Sequence, residues 1–130
     1  EIAVSKIFTI KQRPLSNPLI VHIGSLEQAH EVISHFPSPA ARLATHYWPG
    51  PLTLLLSKKN NIPHLVTAGS TRVAVRIPND PLTLQLLKRL DFPLAAPSAN
   101  PFGYVSPTTA EHVQQQLGNQ IPYILDGGSC

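Results

Sequence analysis

The sequence predicts an α/β (α+β) fold: a single domain with a twisted, mixed β-sheet flanked by helices. Three observations carry that expectation. Short apolar runs suited to strands alternate with amphipathic segments of helical period. The 130 residues, 42% of them hydrophobic, suffice for one buried core and leave little room for a second domain. Only 13% of residues are charged and the net charge is +3, which argues against disorder.

Each element can be justified in order. Residues 1–11 have a helical pattern, with Ile2, Ile7 and Ile10 apolar around Lys6 and Lys11 and no capping side chain before them. Residues 18–23 read as a short buried strand. Residues 25–36 read as a helix, with Ser25 as N-cap, Gln28 as capping-box partner, and Leu26, Ala29, Val32 and Ile33 on one face. A second short helix over 39–48 ends at Pro49-Gly50-Pro51. Strands follow over 52–57 and 73–77. Asp80 caps a helix that has Pro81 at its first position and Leu82, Leu86, Leu87 and Leu90 facing inward. Residues 93–97 are extended, Ser106-Pro107 opens a helix through 117, and 121–125 form a last strand. No repeat, heptad or low-complexity tract interrupts this order.

Composition excludes several classes. The longest apolar stretch, 52–56 with Thr53 inside it, falls far short of the ~20 residues that a membrane helix needs. The single cysteine, Cys130, has no internal partner, and no N-terminal segment reads as a signal peptide. A reducing compartment, and hence the cytoplasm, is expected. The chain opens without Met directly in a helical pattern and stops at Asp126-Gly127-Gly128-Ser129-Cys130. The expectation is the central part of a somewhat larger domain.

Familiar catalytic signatures are missing: there is no P-loop, dinucleotide fingerprint, nucleophile elbow or His-Glu-x-x-His. The six histidines are scattered, the two within one helical segment, His30 and His35, lie five apart and face different sides, and Cys130 has no CxxC partner, so a zinc site or thiol nucleophile is disfavoured. Lys58/Lys59 and Lys88/Arg89 read as solvated surface. Three polar segments at strand ends remain. In Lys11-Gln12-Arg13-Pro14-Leu15-Ser16-Asn17-Pro18, each proline restricts the residue before it, which stiffens Arg13 and Asn17. Alternation over 72–77 puts Arg72, Ala74 and Arg76 on one face of a strand and Val73, Val75 and Ile77 on the other. Pro97-Ser98-Ala99-Asn100-Pro101, with Gly103 and Ser106 after it, offers short hydroxyl and amide groups suited to a nucleotide. Taken singly, each segment also fits an ordinary turn or half-exposed strand. Together they suit an anionic ligand bound without a protein nucleophile.

These segments, with Trp48-Pro49-Gly50-Pro51-Leu52-Thr53 between them, resemble the YrdC/Sua5 family, the threonylcarbamoyl-AMP synthases. The matching strings are Lys11-Gln12-Arg13-Pro14, Asn17-Pro18-Leu19-Ile20-Val21-His22, and residues 48–54, 73–78, 95–100 and 126–128. They cover essentially the whole chain. The resemblance implies a YrdC/RibB-like domain and an enzyme that makes L-threonylcarbamoyladenylate and pyrophosphate from L-threonine, bicarbonate and ATP. The product then goes to a threonylcarbamoyl-transferase complex that modifies N6 of adenosine 37 in tRNA. Two family elements are expected outside these residues: an N-terminal Pro-Thr-Glu/Asp-Thr-x-Tyr-Gly-Leu turn and a C-terminal Ser-Thr-Val segment.

Carried over residue by residue, the family's Lys-x-Arg and Ser-x-Asn signature falls on Lys11, Arg13, Ser98 and Asn100 as the catalytic set. The resemblance assigns ATP to Arg13, Asn17, Ser98 and Ser106. It adds Arg72, where the family often carries a smaller residue such as Thr, which points to a main-chain contact. Threonine falls to His22, Arg76 and Ala96, the last through its backbone. The scarcity of acids implies Mg²⁺ held mainly by the ATP phosphates. Two alternatives stay open on the residues: a YrdC-like carbamoyl-adenylate module of a hydrogenase-maturation carbamoyltransferase, which usually has Lys-Pro where this chain has Asn17-Pro18, and a non-catalytic double-stranded RNA or tRNA binder.

Overall fold

The computed structural model describes residues 1–130. In chain order the elements are α1 (Ile2–Lys11), β1 (Ile20–His22), α2 (Leu26–Val32), α3 (Ser38–Tyr47), β2 (Leu54–Ser57), β3 (Arg72–Arg76), α4 (Pro81–Arg89), β4 (Leu94–Ala96) and α5 (Ala110–Leu117). The four strands form one mixed sheet in the order β2-β3-β1-β4. β1 runs parallel to β3 with His22 opposite Arg76, and antiparallel to β4 with Ile20 opposite Ala96. β2 runs antiparallel to β3 with Leu54 opposite Val75.

The period of two gives this sheet two chemically different faces. Val21, Leu54, Leu56, Val73 and Val75 are buried on one face, where they join Phe8 of α1, Ala29 and Val32 of α2, Ala44 of α3 and Trp48 in a single core cluster. On the other face Ile20, His22, Ala74, Arg76, Leu94 and Ala96 are half-buried and Leu55 is exposed. Helices cover the first face, and the second carries the half-buried His22 and Arg76.

Local chemistry sets the element ends. Ser25 Oγ accepts from the Gln28 N–H at 3.4 Å, and Gln28 Oε1 accepts from the Gly24 N–H at 2.7 Å, one residue earlier than a standard capping box. Asp80 caps α4 through the Thr83 N–H at 2.7 Å, with Pro81 at the first helical position. α1 ends on Gln12 in the left-handed region (φ 52°), where the Arg13 N–H returns to the Phe8 carbonyl at 2.9 Å.

Five expectations are corrected. α2 stops at Val32 and does not reach residue 36. Ile33 is extended and bridges Lys58, while the Ser34 N–H bonds the Ser57 carbonyl at 2.9 Å, so pairing with the end of β2 overrides helical period. α5 starts at Ala110, because the Thr109 hydroxyl caps it through the His112 N–H at 3.3 Å and Ser106-Pro107 stays outside the helix. Residues 121–125 form no strand; they find no ladder partner, and Tyr123 and Leu125 are exposed. Leu86 of α4 and Leu26 of α2 are also exposed, and Leu84 packs on the core in the place expected for Leu86. Lys58 is not plain surface either: it is half-buried and donates to the Ile62 carbonyl at 2.8 Å. No helix is long and apolar enough to cross a membrane.

Candidate functional site

The first cluster forms where the end of α1 meets the loop after β4. Lys11 is only 4% exposed. Its ammonium donates to the Ser98 carbonyl at 2.5 Å and to the Asn100 carbonyl, and the Phe102 N–H bonds the Lys11 carbonyl at 2.8 Å. Burial, and next the charge of Arg13, pull the Lys11 pKa below its usual value. Asn100, also 4% exposed, donates through Nδ2 to the Pro101 carbonyl at 2.9 Å and the Tyr104 carbonyl at 2.8 Å. Both partners are acceptors, which fixes the amide orientation and leaves the buried Oδ1 without a partner. The Ser98 side chain, by contrast, is exposed and makes no hydrogen bond within the protein.

Arg13 faces the same loop, its guanidinium 5.9 Å from the Phe102 ring centroid. Nε donates to the Asn17 carbonyl at 3.0 Å, and Nη2 donates to Asn17 Oδ1 at 2.9 Å and the Pro18 carbonyl at 2.8 Å. All three acceptors are neutral, so the positive charge is held in place without being neutralised, and Nη1 keeps its donors free. Burial lowers the Arg13 pKa, yet a guanidinium remains charged at any physiological pH. Between the two prolines the loop turns back: the Asn17 N–H bonds the Pro14 carbonyl at 3.0 Å and Asn17 sits at a bend.

The second cluster lies on the open face of the sheet. The β1–β3 register sets His22 beside Arg76, and the β1–β4 register sets Ala96 beside Ile20, two residues before Ser98. Arg76 is half-buried and donates from Nε to Thr53 Oγ1 at 2.8 Å, again a neutral acceptor. His22 Nδ1 is buried and has no partner. Burial first, and the Arg76 charge second, push the His22 pKa down, while backbone groups of Leu94 and Ile20 act in the opposite direction. At neutral pH the site therefore presents a cationic fork beside a neutral imidazole.

Two residues of the expected set stand apart. Arg72 is exposed at the far end of β3, opposite Ser57, and only its backbone N–H has a side-chain partner, Ser70 Oγ at 3.0 Å. Ser106 is exposed in the loop before α5 and bonds none of the others. Ser98 opens onto a cavity of about 320 Å³ that the starts of α4 and α5 and residues 124–130 also line; Ser106 is not among its walls. No group of three His, Cys, Asp or Glu side chains converges anywhere in the structure. Sequence reasoning missed Thr53 and Phe102. Thr53 was marked only by its place in the 48–54 string and by a hydroxyl inside the apolar 52–56 run, and nothing marked Phe102 beyond its place in Pro101-Phe102-Gly103.

The geometry can now be set beside known proteins. The Sua5/YciO/YrdC family model, described as "Telomere recombination", matches residues 1–130. The chain is 46% identical over 128 residues to a threonylcarbamoyl-AMP synthase of Pyrococcus abyssi, covering 98% of this chain and 38% of that protein. It is likewise 46% identical over 127 residues to the Bacillus subtilis protein of the same name, covering 97% of this chain and 37% of that one. The crystal structure of P. abyssi Sua5 complexed with L-threonine superimposes with a TM-score of 0.97, covering 99% of this chain and 38% of that one. The chain thus spans under two-fifths of the length of these relatives. It belongs to the Sua5/YciO/YrdC family.

Proposed function

We propose that this chain supplies the substrate-binding sheet of a threonylcarbamoyl-AMP synthase, an ATP-using nucleotidyltransferase. The threonine amine and bicarbonate condense to a carbamate with loss of water, and the carbamate and ATP give L-threonylcarbamoyladenylate and pyrophosphate. The observation that carries this reading is the pair of half-buried arginines, Arg13 and Arg76, each held only by neutral oxygens. Anions must complete such sites, and the reaction brings two: a triphosphate and an amino-acid carboxylate. The complex of P. abyssi Sua5 with L-threonine supports threonine as one of the substrates.

In this mechanism Arg13, Asn17 and Ser98 take ATP. Asn17 acts mainly by fixing Arg13 and Ser98 offers its free hydroxyl, whereas Arg72 and Ser106, which stand apart from these groups, are assigned to ATP on the family resemblance alone. Arg76 forks the threonine carboxylate, the neutral His22 lies alongside, and Ala96 contributes its backbone. A carbamate oxygen attacks the α-phosphorus, the bond to the bridging oxygen of the β-phosphate breaks, and pyrophosphate leaves with that electron pair. Charge accumulates on phosphate oxygens, so Arg13 and the loop that Lys11 and Asn100 shape catalyse by positioning and electrostatics, without a protein nucleophile. Mg²⁺ enters as part of the nucleotide substrate. The adenylate passes to a threonylcarbamoyl-transferase complex acting on tRNA, which places the protein in the cytoplasm.

The hydrogenase-maturation alternative is less well supported. A lysine at position 17 would remove the Oδ1 that accepts from Arg13 Nη2. The test is threonine-dependent pyrophosphate release by the full-length protein. Arg76→Ala should abolish it while leaving ATP affinity nearly intact. An Arg76→Ala protein with unchanged threonine KM and kcat would overturn the carboxylate role, and salt-dependent RNA binding with no ATP turnover would favour an RNA-binding module instead.

A further inference from the structure

We infer that Thr53 is a positioning residue whose hydroxyl fixes the Arg76 guanidinium, so that its Nη1/Nη2 edge meets the substrate carboxylate. The inference rests on the reading that Arg76 holds that carboxylate.

Register brings the two residues together. β2 and β3 are antiparallel with Leu54 opposite Val75, so Thr53, one residue before β2, comes level with Arg76, one residue after Val75. Thr53 Oγ1 accepts from Arg76 Nε at 2.8 Å, the one side-chain hydrogen bond that Arg76 makes within the protein. An arginine has two bidentate edges, Nε/Nη2 and Nη1/Nη2. With Nε engaged by Thr53, the end-on edge is the one left for a carboxylate. Fixing the long side chain before the ligand arrives also removes rotamer entropy that binding would otherwise lose.

The turn that delivers Thr53 is itself anchored on both sides. Trp48 is buried in the core and donates from Nε1 to the Leu52 carbonyl at 2.7 Å. The Gly50 N–H bonds the carbonyl of Ile77, the neighbour of Arg76, at 2.9 Å. A Cβ at residue 50 would lie 2.3 Å from the Tyr47 carbonyl oxygen, so only glycine permits this path. The segment 48–53 thus ties the start of β2 to the end of β3 and holds the hydroxyl at a set height above the sheet.

The experiment compares Thr53→Val, which keeps the shape and loses the hydroxyl, with Thr53→Ser, which restores it, in the full-length protein. L-threonine and ATP affinities are measured separately by calorimetry on the same preparations, with Arg76→Ala alongside. Thr53→Val should raise the threonine Kd about tenfold, the loss of one hydrogen bond to a charged group, with the ATP Kd unchanged. Thr53→Ser should recover most of the loss. Equal weakening of ATP and threonine by Thr53→Val, or a threonine defect that Thr53→Ser leaves in place, would mean a purely structural turn and overturn the inference. An unchanged threonine Kd in Thr53→Val where Arg76→Ala abolishes binding would overturn the role of Thr53 alone. Unchanged binding in Arg76→Ala would overturn the carboxylate reading and the inference with it.

Discussion

Arg13 and Lys11 are two residues apart, yet their environments divide the work of a cationic site between them. The Lys11 ammonium is consumed by two carbonyls and shapes the loop, whereas Arg13 keeps Nη1 free beside an exposed ring. Arg13→Ala should therefore weaken ATP binding by about 1.5–3 kcal/mol, the loss of a charge-assisted contact, measured by calorimetry. Lys88→Ala, at an exposed position on α4, should leave it unchanged; Lys58 is unsuitable as the surface control because it holds the Ile62 carbonyl. At His22, burial and the nearby Arg76 place the folded-state pKa below the ordinary 6.5. As pH falls, the unfolded chain takes up the proton first. The contribution of this group to stability is fully present above the unfolded pKa and is lost as pH falls through the folded one. Denaturant unfolding from about pH 7.5 down to 5 should show a steeper loss for the native protein than for His22→Gln.

At the scale of elements, short pieces of structure depend on their ends. α2 has only seven residues, too few to be stable by propensity, and relies on the Ser25 cap and on burial of Ala29 and Val32. Ser25→Ala should destabilise the protein by about 0.5–2 kcal/mol in thermal or denaturant unfolding, without changing the affinity of either substrate. The reason is position: Ser25 lies just beyond the end of β1, past His22, and its hydroxyl serves the helix rather than the open face. Gly24 next to it is needed for packing, since a Cβ there would lie 3.1 Å from the backbone of Leu87 and Lys88 in α4.

For the molecule as a whole, a sheet covered by helices on one side and half-open on the other carries two separate cationic centres, at Arg13 and Arg76, which the proposed function gives to two ligands. Each ligand that binds only the folded state raises stability by mass action, about 2.7 kcal/mol at a hundred times its Kd. ATP should therefore raise the Tm of the native protein and of Arg76→Ala, but much less that of Arg13→Ala. Threonine should raise the Tm of the native protein and of Arg13→Ala, but not that of Arg76→Ala. Thermal melts of the full-length protein check this, and a variant that lost both responses together would contradict two separable centres.

What the sequence determined by itself was a set of features that depend on near neighbours. The alternation over 72–77 put Arg76 and Val75 on opposite faces, and Ser25 and Asp80 marked helix starts; these are local preferences that survived folding. The chemistry of the candidate site was legible for the same reason, because arginines near strand ends without neighbouring acids already ask for anions. Tertiary structure decided the rest. Ile33 left the helical pattern to pair with Lys58, Lys11 met the carbonyls of Ser98 and Asn100 nearly ninety positions away, and Thr53 met Arg76 through strand register. Residues 121–125 have the composition of a strand but found no ladder partner. A strand or a positioning contact is a relation between distant segments, and its free energy belongs to the pair, so neither member's local sequence could announce it.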